Sequence, residues 1–305
     1  MRTTVQQPDN ERDAHVVEEI LGYITGSPAQ SFFLFAGAGS GKTRTLVEVL
    51  RRITGIQEHP AGASYAERLR ARGQSVRVIT YTKNATAVVN GRLGENSYAV
   101  VSTIHAFCWE LIAGFDGDIR DALLALNAIK LQEAKAKAAE KKRGETETDR
   151  KKYAELETEA DEIRATERFI YNPDKDTYGP GALHHAQVLD IAAWLIAARP
   201  TLCQILEDRH PLILIDESQD TMKGLLDSLF ALSTSREGKI TLGLLGDHRQ
   251  RIYQHGHSDL PSTVPPQWAR PALAMNHRSQ RRIVDLINAI WEADVEGRTQ
   301  PPTGV

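Results

Sequence analysis

A glycine-rich stretch followed by lysine and threonine has the residue types and the spacing to hold a nucleotide. It reads Gly-Ala-Gly-Ser-Gly-Lys-Thr and follows an apolar run. Glycines let backbone N–H groups turn toward phosphate oxygens, and a helix beginning at the lysine adds a favourable dipole. The Lys42 ammonium can pair with the β- and γ-phosphates, and the Thr43 hydroxyl can ligate Mg²⁺. We therefore predict a nucleoside triphosphate site at Gly37, Ala38, Gly39, Ser40, Gly41, Lys42, Thr43 and Arg44.

Two adjacent carboxylates offer the second piece of chemistry. Asp216 and Glu217 follow the apolar run Leu212–Ile215. Carboxylates at the tip of a buried strand are costly unless a cation or a reaction uses them. Beside a phosphate-binding loop, one carboxylate can hold Mg²⁺ while its neighbour positions and deprotonates the attacking water. The pattern predicts Asp216 as a metal ligand and Glu217 as the catalytic base. Gln250 lies where an amide could sense the γ-phosphate.

The elements that must position these residues alternate between strand and helix. Helical spacing over residues 11–24 and 43–53 predicts helices on either side of the first strand. Such alternation is typical of an α/β protein with a parallel sheet, whose functional groups lie at the carboxyl ends of its strands. Tyr81 and His105 fall at such ends, although position alone does not separate function from packing. The predicted strands are 32–35, 76–81, 98–103, 212–215 and 240–245.

A charged helical segment interrupts the alternation between residues 116 and 209. Leu123, Ile129 and Leu131 begin one helix, and a second helix resumes at Tyr153. The spacing predicts a helical hairpin with a narrow apolar seam. Mixed charges favour a solvated face, and a docking arm for a partner or DNA is the alternative. A further helix is predicted over 184–199, with His184 and His185 in its first turn rather than on a metal.

Composition limits the class of protein. The chain has 305 residues, 41% hydrophobic and 25% charged, with a formal net charge of −3. This charge neither demands nor excludes nucleic acid, because a local basic channel can lie in an acidic chain. Cys108 and Cys203, the two cysteines, provide no disulfide framework, which fits a reducing compartment. No apolar run reaches transmembrane length and the first residues lack a signal-peptide core, so we expect a cytoplasmic protein without a membrane partner.

Six short motifs, in order along the chain, resemble those of one family. They are 36–43 (Ala-Gly-Ala-Gly-Ser-Gly-Lys-Thr), 80–82 (Thr-Tyr-Thr), 103–107 (Thr-Ile-His-Ala-Phe), 216–221 (Asp-Glu-Ser-Gln-Asp-Thr), 246–253 (Gly-Asp-x-x-Gln-x-Ile-Tyr) and 276–279 (Asn-His-Arg-Ser). The series resembles the UvrD/Rep-like group of superfamily 1 DNA helicases. The resemblance implies ATP and Mg²⁺ as cofactors and movement along single-stranded DNA, usually 3′ to 5′, in DNA repair or anti-phage defence.

The resemblance also implies a domain organisation. A RecA-like P-loop NTPase domain with a parallel sheet is expected at 1–115 and again at 210–270. A helical insertion subdomain with the charged hairpin is expected between them, at 116–209. The start of a second RecA-like domain is expected at 271–305. The hairpin itself matches nothing in the resemblance.

Roles carried over from the family fall on single residues. Tyr81 corresponds to an aromatic that stacks on a DNA base, and Thr103 with His105 belongs to a motif that touches the backbone of the strand. Tyr253 is expected to lie near the bound DNA strand. Gln250 is expected to couple the γ-phosphate to DNA, and Arg278 to reach that phosphate from the second domain.

The chain also departs from the family pattern. His277 stands where tyrosine usually packs on adenine, and His255 stands where many members place a base-stacking tryptophan or phenylalanine. Lys83-Asn84 reverses the usual order, and no convincing adenine-reading glutamine precedes the glycine loop. The two later helicase motifs, including a second arginine, are missing from these residues. Either these residues are a fragment of a longer helicase, or a partner protein or chain supplies the second motor half, or the motor is degenerate. We therefore expect slow ATP hydrolysis by the chain alone. The alternative is a nucleotide-dependent binding module that docks a partner through residues 120–168.

Overall fold

The structure, a computed structural model, describes residues 13–37, 39–94, 98–141, 144–247, 260–280, 282–286 and 289. It divides into two compact units. The first, which we call the sheet unit, comprises Met1–Ile104 and Cys203–Val305. The second, the helical unit, comprises His105–Leu202. Each is described separately below.

A six-stranded parallel sheet forms the centre of the sheet unit and confirms the predicted α/β class. The strands are β1 (Phe32–Ala36), β2 (Val76–Thr80), β3 (Ala99–Thr103), β4 (Leu212–Ile215), β5 (Thr241–Gly246) and β6 (Ala272–Leu273). Their order across the sheet is β3-β2-β4-β5-β1-β6. All neighbouring pairs are parallel.

The register of the sheet brings the strand ends to one edge. Thr80 pairs with Thr103, and Ile79 pairs with Ile215. Phe35 pairs with Gly246. The residues that follow β1, β2, β4 and β5 therefore emerge at the same edge, as parallel strands require. Strand β5 lies between the strand before the glycine loop and the strand before the acidic pair.

Helices cover the sheet with apolar faces. They include α1 (Ala14–Thr25), α2 (Lys42–Ile53), α3 (Pro60–Arg72), α4 (Lys83–Leu93), α10 (Lys223–Ser235) and α11 (Leu260–Thr263). Two further helices, α5 (Ile104–Ile112) and α9 (Pro200–Arg209), each have residues in both units. Ile20 of α1 and Leu50 of α2 pack in one core with Leu34 of β1. Burying each such side chain contributes about 1.5–3 kcal/mol. Proline at the first position of α3 is preorganised for a helix start.

The helical unit contains the predicted hairpin, formed by α6 (Asp116–Ala139) and α7 (Glu147–Ala165), followed by α8 (His185–Ala198). Its seam includes Ala134 and Leu156, both buried. Asn127 is also buried there, and its Nδ2 donates to the carbonyl of Leu156 at 3.1 Å. Ile129, predicted for the seam, is 47% exposed instead. It lies two residues from Asn127, about 200° around the helix, and so points away from α7.

Strand β6 lies where the start of a second motor domain is expected, just after residue 271. Its two residues pair with Phe35 and Ala36 of β1, so they belong to the first sheet. The division between two motor domains stays a prediction. Among the described residues, no single helix is long and apolar enough to cross a membrane, and only the bent pair α8 and α9 meets that criterion jointly.

Candidate nucleotide-binding site

The glycine loop is a tight turn between β1 and α2. Gly39 and Gly41 have φ angles of +70° and +96°, in the left-handed region that side chains with a Cβ rarely adopt. The Ser40 hydroxyl donates to the carbonyl of Gly37 at 2.8 Å, which closes the turn. Helix α2 then begins at Lys42, so its first N–H groups face the loop. This is the geometry that binds a phosphate at a helix N-terminus.

Lys42 connects the loop to the acidic pair. Its side chain is only 9% exposed, and its Nζ donates to the carbonyl of Ala36 at 3.3 Å. The same Nζ lies 3.5 Å from Oε2 of Glu217. The ammonium thus forms an ion pair with the residue predicted to activate water. A bound γ-phosphate would compete with Glu217 for the same cation.

The acidic turn follows β4 directly. Asp216 is buried, and its Oδ1 accepts a hydrogen bond from the backbone N–H of Glu217 at 3.0 Å. Burial, and then the Glu217 carboxylate, raise the pKa of Asp216 to about 6. Glu217 has a φ of +50°, and a non-glycine residue in this conformation costs about 1–3 kcal/mol. The rest of the fold holds this strained turn in place.

Gln219 lies in the acidic motif, but sequence reasoning assigned it no role. Its side chain is buried and bridges two strand ends. Nε2 donates to Oε2 of Glu217 at 2.8 Å, and Oε1 accepts from the backbone N–H of Asp247 at 3.1 Å. A Cβ on Gly246 would lie 2.7 Å from this Oε1, so a larger residue there would displace the amide. An amide that both donates and accepts could have drawn attention, but nothing in the sequence revealed its two partners.

The loop after β6 packs on the glycine loop. The backbone N–H of His277 donates to the carbonyl of Gly39 at 2.8 Å. A Cβ on Gly39 would lie 2.6 Å from the Cβ of Arg278. Oδ1 of Asn276 accepts from the N–H groups of Arg278 and Ser279, each at 3.0 Å. These contacts bring the predicted adenine and γ-phosphate residues to the phosphate loop.

Asp13 holds the start of this loop from a distant part of the sequence. Its two carboxylate oxygens accept from the N–H groups of Ala274 and Met275 at 3.1 and 3.0 Å. Asp13 immediately precedes α1. The first helix is thereby tied to the segment that carries His277. Sequence reasoning missed this clamp.

One pocket of about 510 Å³ collects most of the predicted nucleotide residues. Glu217, His277 and Arg278 line it together with the glycine loop, Lys42, Thr43 and Arg44. Val88 and Arg92 of α4 also line it and were not predicted. Asp216, although next to Glu217, is buried outside this lining. The predicted residues Ala38, Gln250, Tyr253 and His255 lie outside the described residues.

The donor set fits Mg²⁺ bound together with a nucleotide. A buried carboxyl with a raised pKa, such as Asp216, is a group that a nearby cation would stabilise as the anion. Among the described residues, no group of three or more His, Cys, Asp or Glu side chains could hold a metal. Mg²⁺ bound to phosphates needs only one or two protein carboxylates and keeps several waters. The assignment of Thr43 and Asp216 to that role stays a prediction.

The predicted DNA residues occupy strand ends. Tyr81 directly follows β2, and Thr103 is the last residue of β3, the strand paired with β2. Both are half-buried. His105 belongs to the helical unit, in the first turn of α5. A common groove for Tyr81, His105 and Tyr253 stays a prediction.

Comparisons with known proteins agree with this geometry. The AAA domain family matches residues 22–256. Gabija protein GajB of Bacillus cereus (strain HuB5-5) is 24% identical over 330 residues, which cover 86% of this chain and 47% of that protein. RecBCD enzyme subunit RecB of Chlamydia trachomatis is 31% identical over 102 residues, 32% of this chain and 10% of RecB. The chain thus spans about half the length of GajB and a tenth of RecB.

A solved structure is also similar to this chain. The Pif1 helicase from Candida albicans aligns with 94% of this chain and 44% of its own, with 14% identity and a TM-score of 0.41.

The family match covers well over half of the chain and includes the glycine loop, Lys42, Asp216 and Glu217. The chain belongs to the AAA domain family, as a superfamily 1 helicase-like P-loop domain.

Proposed function

We propose that this chain is the ATP-hydrolysing part of a UvrD/Rep-like DNA helicase or translocase. It couples ATP hydrolysis to movement along single-stranded DNA in the 3′ to 5′ direction. The observation that carries the proposal is the shared pocket of Lys42, Glu217 and Arg278. These residues supply a cation for the phosphates, a base for water and a second cation for the transition state, as phosphoryl transfer requires.

The ion pair of Lys42 and Glu217 suggests how nucleotide binding activates the Glu217 carboxylate. With Lys42 on the phosphates, the Glu217 carboxylate loses its partner at 3.5 Å and is free to accept a proton from water. Gln219 continues to hold Oε2 of Glu217 at 2.8 Å and fixes the orientation of the carboxylate. Bound Mg²⁺ would supply a Lewis acid for the phosphate oxygens, with Thr43 and Asp216 as its protein ligands.

A partner for the second motor half belongs to the same proposal. Arg278 is exposed and follows the last strand of the first sheet. A further protein or chain would hold it against the nucleotide and supply the second arginine. RecB, one of the relatives, is by name a subunit of the RecBCD enzyme. The setting in DNA repair or anti-phage defence stays a prediction from the resemblance.

A nucleotide-dependent switch that docks a partner through the hairpin is the second candidate. The hairpin of α6 and α7 favours it, because none of its described residues lines the nucleotide pocket. The Glu217 and Gln219 arrangement favours the enzyme, since a module that only binds nucleotide does not need an oriented base.

ATP turnover, measured with and without a single-stranded oligonucleotide, separates the two candidates. The helicase proposal expects the oligonucleotide to stimulate hydrolysis, and expects Glu217→Gln to abolish the stimulated rate. The chain alone should be slow, and the second motor half should raise the rate. Nucleotide binding with no DNA-stimulated hydrolysis, even in the presence of that half, would support the switch.

A further inference from the structure

Four aromatic rings meet in the helical unit around the first turns of α5 and α8. His105 and Trp109 lie one turn apart on α5, Tyr171 precedes α8, and His185 is its first residue. The His105 and His185 rings are 5.0 Å apart, edge to face. Tyr171 contacts Trp109 at 5.7 Å and His185 at 5.4 Å between ring centroids. We call these four residues the ring cluster.

Tyr171 determines which nitrogen of His185 carries the proton. Its hydroxyl forms a short hydrogen bond with Nδ1 of His185. Burial raises the pKa of Tyr171 to about 12, with smaller contributions from Cys108 and Asp174. The phenol therefore keeps its proton and is able to donate it to Nδ1. A neutral imidazole that accepts at Nδ1 carries its hydrogen on Nε2, because the bond at one nitrogen sets the state of the other.

His185 therefore offers an oriented donor at the surface. The residue is exposed, while Tyr171 behind it is buried and packed against Trp109. His105 is half-buried, and burial followed by the neighbouring His185 lowers its pKa. Lowering that pKa favours the neutral form of His105, so the pair presents a hydrogen-bonding surface in which His105 is biased toward the uncharged imidazole. Such a surface adds a directed contact to an anion that is held by other groups as well.

We propose that Nε2–H of His185 donates to a phosphodiester oxygen of a bound nucleic-acid strand, next to the contact of His105, with Tyr171 as the positioning residue. The inference rests on the proposed function, in which His105 touches the backbone of that strand. A phosphodiester suits the site, since it carries one negative charge and exposed acceptor oxygens, and it belongs to a polymer held along its length. Free inorganic phosphate lacks those additional contacts.

Two substitutions of His185 separate the role of Nε2 from that of Nδ1. In His185→Asn the side-chain amide replaces Nδ1 and keeps a partner for Tyr171, but nothing reaches the place of Nε2. In His185→Gln the amide reaches the place of Nε2 and can still donate. We expect single-stranded oligonucleotide affinity to fall about tenfold for Asn, as for one hydrogen bond to a charged acceptor, and to recover partly for Gln.

The positioning role of Tyr171 is tested with a second pair of variants. Tyr171→Phe keeps the ring contacts with Trp109 and His185 and removes the hydroxyl that holds Nδ1. We expect a loss of affinity smaller than that of His185→Asn. Tyr178→Phe is the matched control, because Tyr178 is 81% exposed in the same unit and its hydroxyl bonds Asp176 instead of a histidine. Thermal unfolding of each variant checks that the unit stays folded.

A neutral methylphosphonate linkage, moved stepwise along the oligonucleotide, identifies the phosphate. At one position the methylphosphonate linkage should weaken oligonucleotide binding by the wild type but not by His185→Asn. Inorganic phosphate in excess should not compete with the oligonucleotide for the wild-type protein. Binding by wild type with no such position, or with equal affinity of the Asn variant, overturns the inference alone. Competition by inorganic phosphate overturns it in favour of a free-anion site. No oligonucleotide binding by wild type, with or without nucleotide, overturns the proposed function and the inference with it.

Discussion

Lys42 and Glu217 form the pair of charges on which the chemistry of the pocket depends. Their 3.5 Å ion pair is partly buried, with 9% and 37% of the side chains exposed. Gln219 adds a second donor to the same carboxylate oxygen. The base is therefore held, although at a strained φ of +50°, before any nucleotide arrives. Preorganised groups of this kind cost no reorganisation at the moment of reaction.

Lys42→Ala should weaken ATP binding by about tenfold or more, the effect of losing hydrogen bonds from a charged donor. The fold should survive, since the Lys42 side chain contacts a carbonyl and a carboxylate at the pocket and does not belong to the apolar core. Calorimetry of nucleotide binding measures the loss. Lys239→Ala, at an exposed lysine paired with Glu207, is the control. Unchanged ATP affinity in Lys42→Ala would refute the phosphate site.

Glu217→Gln should bind ATP as well as wild type or better, because Lys42 no longer has a competing carboxylate. Its hydrolysis rate should fall by about 10²–10⁴, the contribution of a positioned general base. Gln219 can still donate to the amide oxygen, so the turn should persist. Glu237→Gln, at an exposed site, controls for the change of charge. Single-turnover kinetics that match wild type would reassign the base.

Asp216→Asn should stabilise the metal-free protein at neutral pH. The folded-state pKa of about 6 lies above the usual 3.8, so the folded state binds the proton more tightly. The stability from that proton is complete below pH 3.8 and is lost as pH rises through about 6. The difference between the folded-state pKa and the usual pKa corresponds to up to about 3 kcal/mol of unfolding free energy at pH 7. Urea unfolding with a chelator should show Asn more stable at pH 7, with the gap closing near pH 4.

The same substitution should remove Mg²⁺-dependent hydrolysis, because a neutral amide is a weaker Mg²⁺ ligand than a carboxylate. At limiting Mg²⁺, wild-type hydrolysis should also decline as pH falls toward 6, because the proton competes with Mg²⁺ for the Asp216 carboxylate. Equal stability of the two proteins at pH 7 would mean that the carboxylate is better solvated than its burial indicates.

At the scale of elements, β5 links the nucleotide site to the middle of the sheet. It lies between β1 and β4, and its end contacts the acidic turn through Gln219. The contact depends on the missing side chain of Gly246, since any Cβ would meet both Gln219 and Ser218 at 2.7 Å. The end of β5 leads directly into the motif expected to sense the γ-phosphate. A change there should affect catalysis more than binding.

Gly246→Ala should lower the rate of hydrolysis while leaving ATP affinity close to wild type. The new methyl group displaces the Gln219 amide, so Glu217 loses its orienting donor. Overpacking of this kind costs about 1–3 kcal/mol of stability. Gly91→Ala on α4 is the matched control, with nothing within 4 Å of the added Cβ, and should stabilise by about 0.5–1 kcal/mol. A full hydrolysis rate in Gly246→Ala would show that Gln219 does not orient the base.

Elements with strong local patterns could be predicted from the sequence. β1 and β4 are apolar runs, β2 is rich in β-branched residues, and each of the three begins at the predicted residue. Two-residue β6 has no such pattern, because pairing with β1 rather than composition makes it a strand. Ile129 was misplaced because its apolar character indicated burial, whereas the seam passes through polar Asn127.

The residues of the site also fall into those that the sequence predicts and those that it does not. Glycine spacing and adjacent carboxylates predict chemistry, so Lys42, Asp216 and Glu217 could be named in advance. The Asp13 clamp and the Gln219 bridge join residues far apart in the chain, at separations of 261 and 28 positions for the bonds to Ala274 and Asp247. Only the folded sheet brings such partners together, and a single sequence does not contain that distance information.

At the scale of the whole molecule, every described residue that lines the nucleotide pocket belongs to the sheet unit. The hairpin belongs to the helical unit and has its own seam. The Asn127 side chain bonds α7 across that seam, and the tip beyond it carries the ion pair of Lys141 and Asp149. ATP binding and the distal hairpin are therefore separable in principle.

Replacing residues 132–153 with a short Gly-Ser turn should leave ATP affinity unchanged. The cut removes the tip but keeps the bond from Asn127 to Leu156, so the remaining hairpin retains a polar contact that fixes its pairing. Sites that share no partners act additively, and none of the described residues that line the pocket belongs to this segment. The control inserts the same turn after Lys141 and keeps the seam. If the hairpin is a docking arm, the shortened chain should lose its partner while DNA-stimulated hydrolysis persists. A matching loss of ATP affinity, with both variants folded by circular dichroism, would show that the hairpin supports the motor itself.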